Sequence, residues 1–303
     1  MKWSDIAGVI LLCGLFRGEA LTAEPLSRFV EVDGISIHYL ESGRAAAEDP
    51  TLLMVHGYCG SGEDFRPLLQ ALPDSFHSIA VDLPGGGFSG KPDAPYDCDY
   101  FVAFLRSFCV RMGLRSFVLV GHSMGGQIAI HYATRWPEAV QRLVLISPYG
   151  LAGEEGGMGT LARLGPLVDI GYALNTRLFI QWAIQINVLY RPAPETLRAV
   201  VDSTAANILG CEGARAVSRV TRAVIGHDQV DALLPAVSAD TLVIWGDHDR
   251  VLPPQWASAF VTRLPAARLA LIPDTGHMPM TERPGLTAIV LMGFLSDRRA
   301  VGD

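Results

Sequence analysis

Charge is scarce in this 303-residue chain: Asp, Glu, Lys and Arg together make up 18% of it, against 50% hydrophobic residues. That balance excludes a disordered or fibrous chain. Clustered Lys and Arg are lacking as well, and with a formal charge of -7 and a pI near 5.6 nothing resembles the basic face that a phosphate backbone requires. Nucleic acid is excluded as a partner. The five cysteines, Cys13, Cys59, Cys98, Cys109 and Cys211, form no Cys-x-x-Cys and accompany no paired His spacing. Neither a zinc site nor a disulfide framework is indicated, and the thiols read as free. Internal repeats and low-complexity tracts are missing too.

What is present begins with an apolar segment. Lys2 precedes an unbroken apolar run over residues 6–16, followed by small residues at Ala20 and Ala23, the layout of a secretory signal or membrane anchor. The run is too short to span a bilayer in the ordinary way. Asp5 and Arg17 at its two ends are the features that favour an amphipathic helix instead. The expectation is an exported or membrane-associated protein, with a cytoplasmic one as the alternative; the mean hydropathy of +0.28 is consistent with contact with lipid.

From Phe29 the pattern alternates through Val32, turns at Asp33-Gly34 and resumes from Ile35 to Tyr39, which predicts a β-hairpin. Short apolar runs follow at 52–55, 78–81, 117–120, 143–146, 242–245 and 268–272, most of them separated by helix-length stretches. Buried strands alternating with helices predict an α/β fold with a mostly parallel sheet covered on both faces. The alternation breaks over 151–232, where the pattern turns helical and stays apolar. This divides the chain into an N-terminal segment (1–28), a catalytic domain (29–150 and 233–303) and an inserted helical cap (151–232). Within the cap, Leu174, Leu178, Phe179, Trp182, Ile186 and Leu189 recur at helical spacing over 173–190, predicting an amphipathic helix packed mainly onto the core.

The chemistry concentrates at three strand ends. The strand at 117–120 runs into Gly121-His122-Ser123-Met124-Gly125-Gly126 and then a helical stretch. A turn that tight requires small residues on both sides and presents the central hydroxyl above the sheet edge. A serine hydroxyl needs a base, and the base needs a carboxylate to orient it. Gly246-Asp247-His248-Asp249-Arg250 follows one strand and Asp274-Thr275-Gly276-His277 another, at the edge where such sheets bind ligands. His277 is the candidate base, and spacing alone leaves Asp247 and Asp249 both open as its partner. An oxyanion hole needs two fixed N–H groups; the amides of Met124 and of Tyr58, in His56-Gly57-Tyr58-Cys59-Gly60, are the candidates. His56 is expected to brace that loop and His122 to pack beside its neighbours.

Taken together, His56-Gly57, the stretch from Asp82-Leu83-Pro84-Gly85 to Ser89, Gly121 to Gly126, Trp245 to Asp249, and Gly276-His277 with Glu282-Arg283-Pro284 resemble the α/β-hydrolase superfamily. The resemblance runs from about Phe29 to the last helix. It implies a Ser123, His277, Asp249 triad with Tyr58 and Met124 as oxyanion donors, and so selects Asp249 over Asp247. Gly86 departs from the family's usual His. Within the superfamily the ending from Gly276 to Pro284, the apolar cap and the N-terminus look most like monoacylglycerol lipase-like esterases and lipases. That implies a serine hydrolase acting on carboxylic esters or lipids, with no metal or organic cofactor called for. The N-terminus or the cap would be the parts to touch a membrane surface, and Leu178, Phe179 and Trp182 are candidates to line an acyl pocket or equally to pack in the core. The alternatives are a carbon-carbon bond hydrolase of aromatic-ring degradation, whose usual Asn and Trp are replaced by His122 and Met278, and a non-catalytic ligand receptor on the same fold.

Overall fold

A type of turn that needs two left-handed residues closes the first hairpin: Asp33 and Gly34 have φ of 50° and 78°, joining strands β1 (Leu26–Val32) and β2 (Ile35–Ser42). The computed structural model describes residues 24–44, 50–153 and 176–297. The N-terminal apolar run, and Leu174 of the predicted cap helix, lie outside them. Among the described residues no helix is long and apolar enough to cross a membrane.

Six further strands follow: β3 (Leu52–Val55), β4 (Ser78–Val81), β5 (Phe117–His122), β6 (Val140–Ile146), β7 (Asp240–Gly246) and β8 (Ala267–Ile272). Among the described residues these and the hairpin form one eight-stranded sheet in the order β1-β2-β4-β3-β5-β6-β7-β8, in which β2 runs antiparallel to β1 and β4 and every other neighbouring pair is parallel. This is the expected α/β architecture. The central strands are buried on both faces because their period-2 alternation feeds two separate apolar layers. Leu53 and Val55 of β3 point into one layer, and Leu52 and Met54 into the other.

Helices cover both layers. The first layer packs under α2 (Cys98–Met112), α3 (Met124–Arg135) and α7 (Trp256–Arg263); the second packs under α1 (Arg66–Ala71) and α9 (Pro284–Ser296), with the short α8 (Pro279–Glu282) leading into α9. Between β6 and β7 the described elements are helical: α4 (Arg177–Ala183), continued by one wide turn at Ile184–Val188, then α5 (Pro194–Ile208) and α6 (Cys211–Val224).

Here one expectation needs correcting. Over residues 176–190 the helix predicted for this stretch buries only Leu189 of the face expected for it. Ile180, Ile184 and Leu189 are the buried positions, whereas Leu178, Phe179, Trp182 and Ile186 are 77%, 53%, 55% and 42% exposed. The segment is apolar nearly all round, so its sequence carries two competing stripes. Packing against α5 selects the one through Ile180 and Ile184.

Candidate active site

Ser123 sits at the junction of β5 and α3 with φ 53° and ψ −119°, a conformation costly for a residue with a Cβ. Backbone bonds hold it there: its N–H donates to Ile146 O (3.0 Å), and its own carbonyl accepts from Gly126 N (2.8 Å) and Tyr149 N (3.0 Å). The flanking glycines are sterically required. A Cβ at position 121 would stand 2.4 Å from Gly125 O, and one at 125 would stand 2.2 Å from Val55 O. The serine is thereby placed at the start of a helix whose first amides have no intrahelical acceptor.

His277 follows β8 and Asp249 follows β7. The His277 Nδ1–H donates to Asp249 Oδ2 at 2.8 Å, with both side chains buried. The other carboxylate oxygen of Asp249 accepts from the Val251 and Leu252 amides, each at 2.9 Å, so the group is fixed before it meets the histidine. Asp247 faces elsewhere: its Oδ1 accepts from the Thr275 amide (3.2 Å) and pairs with His248 Nδ1 (2.6 Å). The loop carrying His277 is tied at both ends. Its amide donates to Val188 O (2.7 Å), and Glu282 accepts from the amides of Tyr190 (2.6 Å), Gly276 (3.1 Å) and Met278 (3.1 Å). Burial lifts the Glu282 carboxyl above its usual range despite those three donors.

His122, next to the serine, packs its ring 4.8 Å from that of His277 and donates Nε2–H to the His277 carbonyl at 3.0 Å. Its Nδ1 is buried with no partner in the described structure. Burial first, and the neighbouring His277 second, hold His122 well below the usual histidine range, so it stays neutral. It braces the loop that carries His277, a more specific place than the packing expected of it.

The loop after β3 supplies the other side of the site. His56 Nδ1–H donates to Gly57 O at 2.8 Å, and its Nε2 accepts from the Leu83 amide at 3.0 Å. This bonding requires the neutral ring, and burial lowers its affinity for a second proton accordingly. Gly57 O also accepts from Gly60 N (3.1 Å). In a planar trans peptide the N–H points opposite to the C=O, so anchoring the Gly57 carbonyl aims the Tyr58 amide away from His56. A Cβ at Gly57 would lie 3.0 Å from both the Ser123 Cβ and His122 Nδ1, which places this loop directly against the serine. Gly86 lies on the far side of His56, where a Cβ would come within 3.0 Å of the ring.

Asp64 completes the loop's support by accepting from the Ser61 amide (3.2 Å), and burial pushes its carboxyl up to about 7. A folded-state value raised above the unfolded one means that between pH 4 and 7 the native state holds the extra proton. Stability is therefore full at the acid end of that window and declines as pH rises through it. Asp64→Asn, which keeps the acceptor oxygen, is expected to lose less thermal stability than the wild type between pH 5 and pH 8. Parallel melting curves at the two pH values check this, and equal losses in both proteins would contradict it.

Tyr58 and Met124 line one cleft together with Leu83, Phe101, Asn207, Val217 and Val220. Leu178, Phe179 and Trp182 are not among its walls. Of the helices between β6 and β7, α5 and α6 contribute to it instead. Ala214, Val217, Thr221 and Val224 repeat along α6 at helical spacing and are buried, a periodicity the sequence displays but which the more apolar stretch before it overshadows.

The family model described as "Alpha/beta hydrolase family" matches residues 52–289. The chain is 29% identical to Lipase 1 of Psychrobacter immobilis over 270 residues, covering 87% of this chain and 81% of that protein. It is 26% identical to monoacylglycerol lipase ABHD6 of Bos taurus, covering 89% and 82%. Among solved structures, a bacterial membrane phospholipase A superposes with a TM-score of 0.75 at 29% identity, over 97% of this chain and 92% of that one.

Proposed function

The chain belongs to the α/β-hydrolase family, and from that premise we propose that it is a serine carboxylic-ester hydrolase of the lipase or esterase type. The observation that carries the reading is the buried His277–Asp249 pair, bonded at 2.8 Å, at the same sheet edge as the left-handed Ser123. Lipase relatives support it.

Ser123 Oγ would attack the ester carbonyl while its proton passes to His277 Nε2, the nitrogen left free once Nδ1–H is given to Asp249. The oxyanion that forms would be met by the Tyr58 and Met124 amides. Collapse of the tetrahedral intermediate releases the alcohol, which takes the proton from His277 and leaves an acyl-serine. Water then repeats the sequence with the same base and releases the acid. Asp249 contributes twice, by fixing the tautomer and by stabilising the transient imidazolium.

The acyl chain is assigned to the cleft between the oxyanion loop and the cap, whose walls at Leu83, Phe101, Val217 and Val220 are apolar. Kinetics with p-nitrophenyl esters from acetate to palmitate, and with monoacylglycerols, test this. Val217→Phe is expected to depress kcat/KM for the longer chains roughly tenfold or more relative to acetate. An identical profile in wild type and variant would remove the cleft as the acyl site.

The exposed face of α4 is assigned to contact with a lipid surface. Phe179 and Trp182 lie side by side with ring centroids 5.7 Å apart, and the exposed Arg250 lies just beyond the C-terminal end of α4, donating to Ile186 O at 2.9 Å. Apolar rings with an arginine nearby suit an anionic interface. Trp182→Ser and Phe179→Ser are each expected to weaken cosedimentation with anionic vesicles about tenfold, from the apolar area no longer buried. Undiminished binding would rule this face out.

A further inference from the structure

The loop that presents the Tyr58 amide is gripped from the cap. Asn207, in the last turn of α5 and 2% exposed, directs its side-chain nitrogen at two consecutive carbonyls of that loop, Cys59 O at 3.1 Å and Gly60 O at 2.9 Å. One turn earlier on α5, Ser203 Oγ meets Ser61 Oγ at 3.0 Å. From α6, Thr221 Oγ1 lies 2.5 Å from the Tyr58 hydroxyl and donates its own hydrogen to Val217 O (2.8 Å), so the tyrosine is the donor of the first bond. Residues about 150 positions later in the chain thus hold Tyr58, Cys59, Gly60 and Ser61 in turn.

We infer that Asn207 and Thr221 are positioning residues for the oxyanion hole, so that the cap sets the catalytic competence of the loop as well as covering the cleft. The inference rests on the proposed ester hydrolysis. Its physical basis is that the loop does not hold its own shape. Cys59 adopts φ 59°, a left-handed conformation that a non-glycine residue keeps only when its surroundings over-determine it. On the inner side the loop is held by His56 and Asp64; on the outer side the Cys59 and Gly60 carbonyls take their donor from Asn207. A buried carboxamide is costly unless satisfied, and this one is satisfied by the loop. Removing it frees the Cys59 and Gly60 carbonyls to reorient, and the peptide that carries the Tyr58 amide, two peptide units before the Cys59 carbonyl, loses its outer restraint. An oxyanion donor acts only when aimed in advance at the position the charge will occupy, so the loss falls on the transition state more than on substrate binding.

The test compares full-length wild type with Asn207→Leu, which keeps the size but removes the donors, and with Tyr58→Phe, which removes a single hydroxyl. p-Nitrophenyl butyrate kinetics, the rate of inactivation by an alkyl phosphonate and thermal unfolding are measured on each. Asn207→Leu is expected to lower kcat about tenfold or more, with KM within about threefold and phosphonylation slowed in parallel, because both reactions develop charge on the same oxygen. Tyr58→Phe should shift kcat the same way by a smaller factor. A folded Asn207→Leu with kcat within about twofold of wild type, or a loss confined to KM, overturns the inference. If that variant does not fold, an unchanged kcat in Tyr58→Phe overturns it. Wild-type turnover that persists in both variants leaves ester hydrolysis standing and removes only the role of the cap, whereas wild type without Ser123-dependent turnover removes both.

Discussion

Asp249→Asn is expected to lower kcat on the order of 10⁴-fold while KM stays within a few-fold. The argument is one of tautomers. In the wild type the carboxylate accepts from His277 Nδ1–H at 2.8 Å through one oxygen, while the other is held by the Val251 and Leu252 amides. Asparagine can keep those two amides only through its carbonyl oxygen, which turns the NH2 toward His277. Nδ1 must then accept, and the proton moves to Nε2, the nitrogen that has to receive the proton of Ser123. The base is present but in the wrong form. Since Asp249 is buried under His277 and the Leu252 turn, the substitution leaves substrate contacts alone. A variant retaining more than a tenth of wild-type kcat would mean that Asp249 is not the orienting carboxylate. Asp247→Asn, by contrast, alters a group bonded to His248 and Thr275 and is the appropriate control.

The strand-turn-helix geometry around Ser123 was legible because it is local. A strand, a Gly-x-Ser-x-Gly turn and a helix are contiguous, and steric exclusion at Gly121 and Gly125 leaves little freedom in what such a stretch can form. The mostly parallel sheet and the hairpin followed from the same short-range patterns. Strand ends were less legible. The strand expected at 143–146 in fact begins at Val140, because the guanidinium of Arg142 is satisfied by the Phe294 and Asp297 carbonyls at the end of α9. No rule of alternation announces a polar strand residue whose partners lie about 150 residues away.

The cap was the least legible part, for a related reason. Periodicity identifies an amphipathic helix only when one face is polar, and in α4 and its continuation both Ile180-Ile184 and Leu178-Trp182 are apolar. Which face is covered is decided by α5, and that information is not in the segment. Asn207 was invisible on the same grounds. As a single asparagine at a helix end it reads as an ordinary terminating residue, and its meaning lies in two carbonyls on a distant loop.

Ser123 carries the largest expected effect. Ser123→Ala is expected to reduce kcat by on the order of 10⁶-fold, since no other hydroxyl is placed in its turn and the other members act only through it. Alanine keeps a Cβ at the same positive φ, so the fold and its strain are retained. Ser123→Gly should in addition raise thermal stability, because glycine adopts φ 53° without that cost.

The most direct measurement pairs turnover of a short p-nitrophenyl ester with fluorophosphonate labelling, on wild type and Ser123→Ala prepared identically, the labelled peptide being located by mass spectrometry. Ser123-dependent turnover with the label on Ser123 is the predicted result. Folded wild-type protein that turns over no ester, or that turns it over equally well as Ser123→Ala, would contradict the account.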